Sequence, residues 1–377
     1  LVININFNIS VIKIIINTVN LKVGGAFQRS ISFLKELKEI SEDQYYIFIN
    51  ENIGDQIDVK SYPDNFKFYF FDHSPASLKY RKGIIKKFDY LEEKIKPDVV
   101  FSFVGPCYWR PRSQHLVGFG IPHIAYDDYK YVKKYSWKVK LEMIYKKYWT
   151  KKEADYYVVQ TEDVRERLSD RINVDKSKIF LVSNGIGAQY KGVKVKNSTN
   201  KKIKKLLMIS TFRPSKNFEI INDVILYLQG DSFDYEFHIT IKKEDYEKIF
   251  FGKEQWVKNH GHILAKDCPE LYNECDVMFL PTHLECFSAS YPEAMKMERP
   301  ILTSNFSFAT TVCHDSALYF DNLDPKDIAE KIKEVFHNEK LYNDLVNKGK
   351  KRLTIFNNSR GQAEKYLKIF KELSQSK

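Results

Sequence analysis

The 377-residue sequence is poor in the residues that mark several protein classes. Glycine (15 residues) and proline (12 residues) are too few for a collagen-like or low-complexity chain. The five cysteines are odd in number and form no Cys-x-x-Cys pair. We therefore expect scattered reduced thiols in a cytoplasmic protein, and neither a disulfide framework nor a zinc site. No run of about 18 apolar residues occurs, so no membrane-spanning helix is predicted.

The first residues also lack the features of a targeting signal. Residues 1–8 have no basic head, apolar middle or small-residue cleavage site, so they do not resemble a secretory signal. The sequence does not begin with Met, and residues 1–10 are interpreted as an extension that precedes the folded domain.

Positive charge is the most conspicuous feature of the composition. Lys and Arg total 60 against 49 Asp and Glu, which gives a formal net charge of +11. The apolar fraction of 43% is too large for a disordered chain and is enough for one or two cores. The excess charge fits three kinds of partner: nucleic acid, an anionic membrane surface or a phosphorylated small molecule.

Apolar runs of strand length alternate with amphipathic stretches of helix length along most of the chain. This alternation predicts an α/β fold of parallel sheets with helices on both faces. The predicted strands cover residues 11–16, 45–49, 66–71, 99–103, 115–119, 157–160, 179–182, 206–210, 236–241, 277–280 and 300–304. The polar stretch 194–202 separates two doubly wound domains, predicted at 1–190 and 200–355. Their ligands should lie in the cleft between them, at the carboxyl ends of the strands.

The segment Pro281–Met295 is the most specific motif in the sequence. It follows the predicted strand 277–280, so Glu285 lies in the loop at that strand's carboxyl end. Residues 287–290 lead into a helix whose free backbone N–H groups can receive phosphate oxygens. Glu293 lies on this helix, where its carboxylate can accept two hydrogen bonds from a ribose diol. The alternative is that both glutamates are solvated surface residues.

This segment resembles the E-x7-E signature of retaining GT-B glycosyltransferases of family 4, also called glycosyl transferases group 1. Four further segments carry the resemblance: 182–186, 267–277, 299–305 and 317–321. The resemblance implies a GT-B fold, with two Rossmann-like domains that face a central cleft. It also implies that a terminal helix at about 358–377 packs back on the first domain, which binds the acceptor, while the second binds a nucleotide sugar.

The resemblance assigns roles to the residues of the motif. Glu285 corresponds to the glutamate beside the transferred sugar, and Glu293 corresponds to the one that binds the ribose. Phe287, Ser288 and Ala289 correspond to donor-binding positions before the helix. The family is thought to transfer the sugar by attack on the same face, while the departing diphosphate helps accept the proton of the acceptor.

A departing diphosphate gains negative charge, which the protein must stabilise with cations or dipoles. The loop 210–217 follows the first strand of the second domain and contains Arg213 and Lys216. Lys216 matches the lysine that the family uses for this purpose. The family's arginine is commonly five residues earlier, where this chain has Thr211, so Arg213 is displaced by two positions. The alternative is an ordinary basic loop.

Three weaker candidates lie in other loops. Gly24 and Gly25 follow the first strand and resemble the family's glycine pair near the donor phosphates, although a tight turn without a ligand also fits. Ile263 and Leu264, at the end of a short predicted strand, correspond to positions near the nucleotide base, with core packing as the alternative. His123 follows a first-domain strand and is an acceptor-side candidate, but a hydrogen-bonded loop histidine is the better interpretation.

The segment Lys130–Lys152 combines nine lysines with one acid, Glu142, and with interleaved Tyr and Trp. Basic residues with aromatics of this kind suit an anionic membrane surface. A solvated lysine-rich helix is equally compatible with the pattern. Nucleic acid is not expected, because no helix-turn-helix, zinc or RNP motif accompanies the charge.

The predicted function is a metal-independent, retaining transfer of a hexose-type sugar from a UDP- or GDP-linked donor to a hydroxyl acceptor. The acceptor is expected to be a glycan or a lipid-linked molecule of cell-surface polysaccharide or glycolipid assembly. No cofactor is expected, and the protein should be cytoplasmic or peripheral on the cytoplasmic face of a membrane. A nucleotide-sugar 2-epimerase of the same fold, or a non-catalytic basic protein that binds membrane or nucleic acid, stays open as an alternative.

Overall fold

The computed structural model describes residues 11–22, 24–196 and 202–376. Within these ranges the chain forms two parallel β-sheets, of seven and six strands, with helices packed on their faces. The predicted α/β fold with two doubly wound units is confirmed. The extension 1–10 and most of the polar stretch that was predicted to join the domains lie outside the described residues.

The first sheet has the strand order β3-β2-β1-β4-β5-β6-β7, and all neighbouring pairs are parallel. Its strands are β1 Lys13–Asn17, β2 Gln44–Ile49, β3 Phe66–Phe70, β4 Val99–Ser102, β5 Gln114–Gly118, β6 Tyr156–Val159 and β7 Ile179–Leu181. The helices of this half are α1 Gly25–Ile40, α2 Glu51–Gly54, α3 Leu78–Ile95, α4 Pro122–Ala125, α5 Lys130–Lys133, α6 Trp137–Glu153 and α7 Glu162–Ile172. The central strands are buried on both faces, which explains their continuous apolar sequences.

The second sheet has the order β10-β9-β8-β11-β12-β13, again with parallel neighbours. Its strands are β8 Ile203–Met208, β9 Asp234–Ile239, β10 Val257–Asn259, β11 Val277–Leu280, β12 Ile301–Ser304 and β13 Ala317–Phe320. The helices that follow β8 are α8 Ile220–Leu228, α9 Lys243–Phe250, α10 Cys268–Glu274, α11 Ser290–Lys296, α12 Ser307–Cys313, α13 Pro325–His337, α14 Glu339–Leu353 and α15 Ser359–Gln375. In both sheets the strand order reverses direction beside the first strand, which creates a crevice at its carboxyl end.

The strand near residue 260 differs from the prediction. Strand β10 ends at Asn259, three residues before the segment 262–264 that was placed at a strand end. The side chain of Asn259 accepts hydrogen bonds from the backbone N–H groups of Ile241 and Gly261. Gly261 has a positive φ of 68°, so the chain turns there and cannot continue the strand.

Helix α15 returns from the second sheet to the first. The ring of Tyr366 lies 5.1 Å from that of Phe33 on α1, and the ring of Phe370 lies 5.3 Å from that of Phe101 on β4. The two chain segments that pass between the sheets lie side by side, since Ile186 pairs with Asn358 in a parallel bridge. A Cβ atom on Gly185 would approach the carbonyl oxygen of Asn357 to 2.6 Å, so this close crossing requires glycine.

The two halves also contact each other beside the cleft. The ring of Tyr129 stacks on that of Phe306 with 4.9 Å between centroids. Asp163 on α7 accepts a hydrogen bond from Ser307 of α12 at 2.8 Å and another from Tyr126 at 2.7 Å. These contacts fix the distance between the loops that face each other across the cleft.

Candidate active site in the interdomain cleft

Two loops of the second domain meet at the carboxyl ends of β8 and β11. The ammonium group of Lys216 contacts Oε1 of Glu285, and both side chains are partly buried. The carbonyl oxygen of Ser215 accepts hydrogen bonds from the backbone N–H of His283 at 2.8 Å and from Oγ1 of Thr282 at 2.9 Å. The loop that carries Lys216 is therefore held against the loop that carries Glu285.

Hydrogen bonds of Asn217 and Asn322 fix the geometry of the Lys216 loop. Asn217 has a positive φ of 57°, and its side-chain amide donates to the carbonyl oxygen of Asn322 at 2.8 Å. The amide of Asn322 in turn donates to the carbonyl oxygen of Thr282 at 3.2 Å and lies 2.8 Å from Nδ1 of His283. These hydrogen bonds hold the loop that carries Lys216, so the position of its ammonium group does not depend only on the ion pair with Glu285.

His283 links the second domain to the first. Burial, reinforced by the nearby charge of Lys134, lowers the pKa of His283 to about 4, so the imidazole is neutral near pH 7. Its ring stacks on that of Tyr131 on α5 with 4.4 Å between centroids. Part of the segment Lys130–Lys152 consequently borders the cleft and is not wholly a solvent-facing helix.

Glu293 lies on the first turn of α11, the helix that follows the Glu285 loop. Burial raises the pKa of its carboxyl group to about 7. The hydroxyl of Tyr272 lies 3.5 Å from Oε2 of Glu293, at the limit of a hydrogen bond. The buried ring of Tyr190, in the segment that leads into the second domain, lies 6.1 Å from the ring of Tyr272. Near pH 7 this carboxyl group can therefore take up or release a proton when a ligand binds.

A cavity of about 480 Å³ opens between the two domains. The first domain contributes His123 and the neighbouring loop after β5, and the second contributes Arg213 from the loop after β8. The remaining polar and aromatic lining includes Tyr131, Tyr135, Lys146 and Ser215. His123 and Arg213, which are 90 residues apart in sequence, thus face the same space.

His123 has an unusual environment for a loop histidine. Burial and the nearby ammonium of Lys146 lower its pKa to about 4, so its ring is neutral at physiological pH. A neutral imidazole can accept or donate a hydrogen bond at either nitrogen, depending on its tautomer. Its place in the cavity makes it available to a ligand rather than to the core.

The glycine pair lies at the start of α1. Gly24 adopts a φ of 92°, which an L-residue with a side chain rarely adopts, and Gly25 is the first residue of the helix. Arg29, one turn later, donates a hydrogen bond to Oδ1 of Asn184. Its guanidinium also acts electrostatically on the buried thiol of Cys286, the neighbour of Glu285. Helix α1 consequently brings a cation across the cleft toward the Glu285 loop.

The other donor-side candidates occupy separate positions. Phe287, Ser288 and Ala289 immediately precede α11, and the ring of Phe287 packs 6.1 Å from that of Phe356. Ile263 is partly buried against the second-domain core, whereas Leu264 is exposed, and both lie in the loop after β10. Core packing, which the sequence left open for this segment, therefore accounts for Ile263.

Sequence reasoning missed three residues that line the cavity, Tyr131, Tyr135 and Lys146. It also missed Arg29, whose charge acts on Cys286, and Tyr190, which packs beside Tyr272. The aromatic and basic pattern of 130–152 was visible, but which of these side chains face the second domain depends on the break between α5 and α6. Arg29 lies one turn after the glycine pair, but nothing in the local sequence separates it from an ordinary helix residue.

The described residues contain neither a candidate metal cluster nor a candidate membrane-spanning helix. In the ranges 11–22, 24–196 and 202–376, no group of three or more His, Cys, Asp and Glu side chains could hold a metal ion. No helix in the described part of the chain has the length and hydropathy needed to cross a bilayer.

Comparison with known proteins agrees with this architecture. Residues 190–352 match the family described as glycosyl transferases group 1. A stretch of 101 residues is 34% identical to the capsular polysaccharide biosynthesis glycosyltransferase CapM of Staphylococcus aureus. That match covers 26% of this chain and 27% of CapM, so the chain aligns with about a quarter of this curated relative.

Solved structures match nearly the whole chain. A glycosyltransferase from Rickettsia africae has a TM-score of 0.74 at 14% identity, and the match covers 98% of this chain and 100% of that one. Anabaena Alr3699/HepE, solved with UDP and glucose, has a TM-score of 0.72 at 13% identity and coverages of 96% and 100%. Staphylococcus aureus TarM has a TM-score of 0.68 at 14% identity and coverages of 95% and 99%.

Similarity at these identities establishes the fold, and the family match covers most of the second domain. The loops that carry Lys216, Glu285 and Glu293 all lie inside the matched range 190–352. The chain has the GT-B fold of two facing Rossmann-like domains, and its residues 190–352 match the family described as glycosyl transferases group 1.

Proposed function

We propose that the protein is a retaining glycosyltransferase that moves a hexose-type sugar from a nucleotide diphosphate sugar to a hydroxyl acceptor. The main support for this proposal is the contact between Lys216 and Glu285 at the carboxyl ends of β8 and β11. It sets a cation and a carboxylate side by side, as a leaving diphosphate and a polar sugar require.

In this reaction the bond between the anomeric carbon and the diphosphate oxygen breaks while the acceptor oxygen bonds to the same face of that carbon. The acceptor proton passes to an oxygen of the departing diphosphate, so atoms and charge balance. Lys216 and Arg213 stabilise the diphosphate, and Glu285 hydrogen-bonds the hydroxyl groups of the sugar. Because Lys216 leaves Glu285 when it binds phosphate, the carboxylate is then free to orient the sugar.

Glu293 binds the ribose of the donor in this proposal. A buried carboxylate that accepts two hydrogen bonds from a vicinal diol recovers part of the solvation that burial removed. Phe287, Ser288 and Ala289, with Gly24 and Gly25 opposite, border the donor phosphates, and the backbone of Ile263 and Leu264 lies toward the base. The donor is UDP- or GDP-linked, and no metal takes part.

The acceptor occupies the cavity on the first-domain side, beside His123. The relative CapM acts in capsular polysaccharide biosynthesis, and TarM has been solved with α-GlcNAc-glycerol and UDP. By analogy the acceptor here is a glycan or a lipid-linked molecule of cell-surface polysaccharide or glycolipid assembly. We further propose that the segment Lys130–Lys152 faces an anionic membrane, on which such acceptors reside.

A donor screen tests the proposal directly. Thermal shift and calorimetry with UDP-, GDP- and dTDP-sugars should identify one nucleotide that stabilises the protein, and NMR should then follow its sugar. Slow release of free sugar with the donor's anomeric configuration supports retaining transfer, with water as a poor acceptor. Inverted sugar would exclude retention, sugar epimerised at C2 would indicate an epimerase, and no affinity for any nucleotide would exclude both enzymes.

A further inference from the structure

Helix α6 carries an exposed row of apolar side chains, here named the α6 stripe: Trp137, Leu141, Ile144 and Tyr148. Their relative exposures are 67%, 55%, 63% and 55%. Spacings of four, three and four residues place all of them on one face of the helix. Single exposed apolar residues are common on protein surfaces, but a continuous row on one face indicates an interaction site.

Lysines border the α6 stripe along both edges. At 100° per residue, Lys138 and Lys152 lie on one side of it, and Lys140 and Lys151 lie on the other. The ammonium group of Lys138 lies 5.7 Å from the ring of Trp137, and that of Lys152 lies 5.3 Å from the ring of Tyr148. The exposed face therefore combines apolar rings with positive charge at its margins.

The two acidic residues of this helix, Glu142 and Glu153, lie on the side opposite the α6 stripe. Glu142 pairs with Lys146, its neighbour one turn later, at 2.6 Å. Lys146 also lines the interdomain cavity together with His123. The helix thus presents one face to the cleft and the α6 stripe to solvent.

The start of helix α3 contacts α6 through Arg81. The guanidinium of Arg81 lies 4.1 Å from the ring of Tyr108 and donates a hydrogen bond to the hydroxyl of Tyr145 on α6. Leu78, at the start of α3, is 76% exposed. Arg81 thereby holds the first turn of α3, which carries Leu78, beside α6.

We propose that the α6 stripe docks on an anionic lipid bilayer, with its rings at the level of the headgroups and its flanking lysines on lipid phosphates. Rings at the interface and lysine stems that reach the headgroups are the arrangement that a helix lying in the membrane plane requires. This inference deepens the membrane contact of the proposed function, because it names the face that binds and places the cleft next to the bilayer.

The lysines and the apolar row together favour an anionic bilayer over a second copy of the chain and over nucleic acid. A second copy of the chain that covered the α6 stripe through a two-fold contact would bring the same lysines against each other, which is repulsive. Nucleic acid would satisfy the lysines but would leave the apolar row without a partner. An anionic bilayer satisfies both features.

Vesicle co-sedimentation tests the proposal, with vesicles of phosphatidylcholine alone and vesicles that also contain phosphatidylglycerol. The protein should bind the second kind and release at high salt. The double variant Leu141→Ser/Ile144→Ser should lose most of this binding, while Leu226→Ser, at an exposed leucine of α8, should not. The triple variant Lys138→Gln/Lys151→Gln/Lys152→Gln should bind roughly a hundredfold more weakly, or about fivefold for each lysine.

A charge-matched control distinguishes binding through the α6 stripe from binding caused by the net positive charge of the whole protein. The variant Lys242→Gln/Lys243→Gln/Lys248→Gln removes three lysines at and near α9 and should leave vesicle binding within about twofold of wild type. Equal losses in both triple variants, or no binding by the wild-type protein, would overturn the proposal. So would a change of oligomeric state in the Leu141→Ser/Ile144→Ser variant without a change in vesicle binding.

Measuring nucleotide affinity distinguishes failure of the docking proposal from failure of the proposed function. Calorimetry with UDP and with GDP, without lipid, should give the same dissociation constant for the wild type and for every variant of the α6 stripe. Vesicle binding without nucleotide binding would remove the glycosyltransferase and keep the docking surface, and the reverse result would remove the docking surface alone.

Discussion

The two sides of the cleft are built in different ways. The second-domain side consists of two loops held together by backbone hydrogen bonds and by the contact between Lys216 and Glu285. The first-domain side consists of separate pieces, such as His123 after β5 and Tyr131 on α5, whose side chains meet only in the folded protein. In the proposed reaction, the groups that stabilise the leaving diphosphate thus belong to a compact, locally encoded unit, whereas the acceptor would be selected by an assembled surface.

Loss of Lys216 should have the largest effect and should show which side carries the chemistry. Lys216→Ala should reduce turnover by about 10²–10³-fold, because a cation that faces the leaving diphosphate is removed. Lys243→Ala is the matched control, since Lys243 also pairs with a glutamate, Glu247, but at an exposed site on α9. Steady-state rates with saturating donor provide the measurement, and a near-normal rate for Lys216→Ala would remove its role.

Glu293 should show a smaller effect on donor binding, with a characteristic pH dependence. In the proposed function the ribose diol binds the ionised carboxylate, and the pKa of Glu293 is raised to about 7, so donor affinity should fall as pH drops below about 7. Glu293→Gln should weaken nucleotide binding roughly 10–100-fold and remove this pH dependence. Calorimetry between pH 5.5 and 8.5 measures both, and unchanged affinity in the variant would exclude the ribose assignment.

His123 should separate the two sides of the cleft. His123→Gln should raise the acceptor KM by about tenfold, the cost of roughly one hydrogen bond, and leave nucleotide affinity unchanged. Because the pKa of His123 is lowered to about 4, it should contribute no step to the rate profile between pH 5 and 8. A changed nucleotide affinity would place this residue on the donor side.

Glu153 should affect stability and leave the donor site unaffected. It is buried at the end of α6, accepts hydrogen bonds from the backbone N–H groups of Cys107 and Tyr108, and burial raises its pKa to about 8. The folded state thus holds a proton that the unfolded state has lost above pH 4.5, so stability should decrease as pH rises from about 4.5 to 8.

The variant Glu153→Gln checks this sign. It should flatten the dependence of Tm on pH between 5 and 9 by several degrees, and its affinity for nucleotide should equal that of the wild type. A Tm that rises with pH across this window in the wild type, and does not in the variant, would mean that Glu153 is ionised and stabilising.

The sequence was sufficient to predict the fold and the second-domain loops, because both depend on local patterns. A strand, a loop and a helix that are contiguous in sequence place Glu285 and Glu293 without any knowledge of distant contacts. The orientation of helix α6, in contrast, could not be predicted from the sequence. Its lysines and aromatics occur on all sides, so the sequence did not show which face meets the cleft and which meets solvent.

Arg29 and Tyr190 were unpredictable for a different reason. Arg29 reaches Asn184 and the region of Cys286 only because α1 and the second domain meet across the cleft. Tyr190 packs beside Tyr272 because the chain enters the second domain at that point. Neither position has a local pattern that separates it from an ordinary helix or linker residue.

Helix α15 means that the molecule cannot be divided at the polar stretch near residue 197 into two independent pieces. The C-terminal piece would still contain α15, whose Tyr366 and Phe370 belong to the core of the first domain. A single cut by protease in residues 197–201 should therefore leave both fragments bound in one particle. Conversely, the first domain expressed alone would expose the apolar surface on which α15 packs. Adding a peptide that spans Ser359–Gln375 should restore the solubility of that domain.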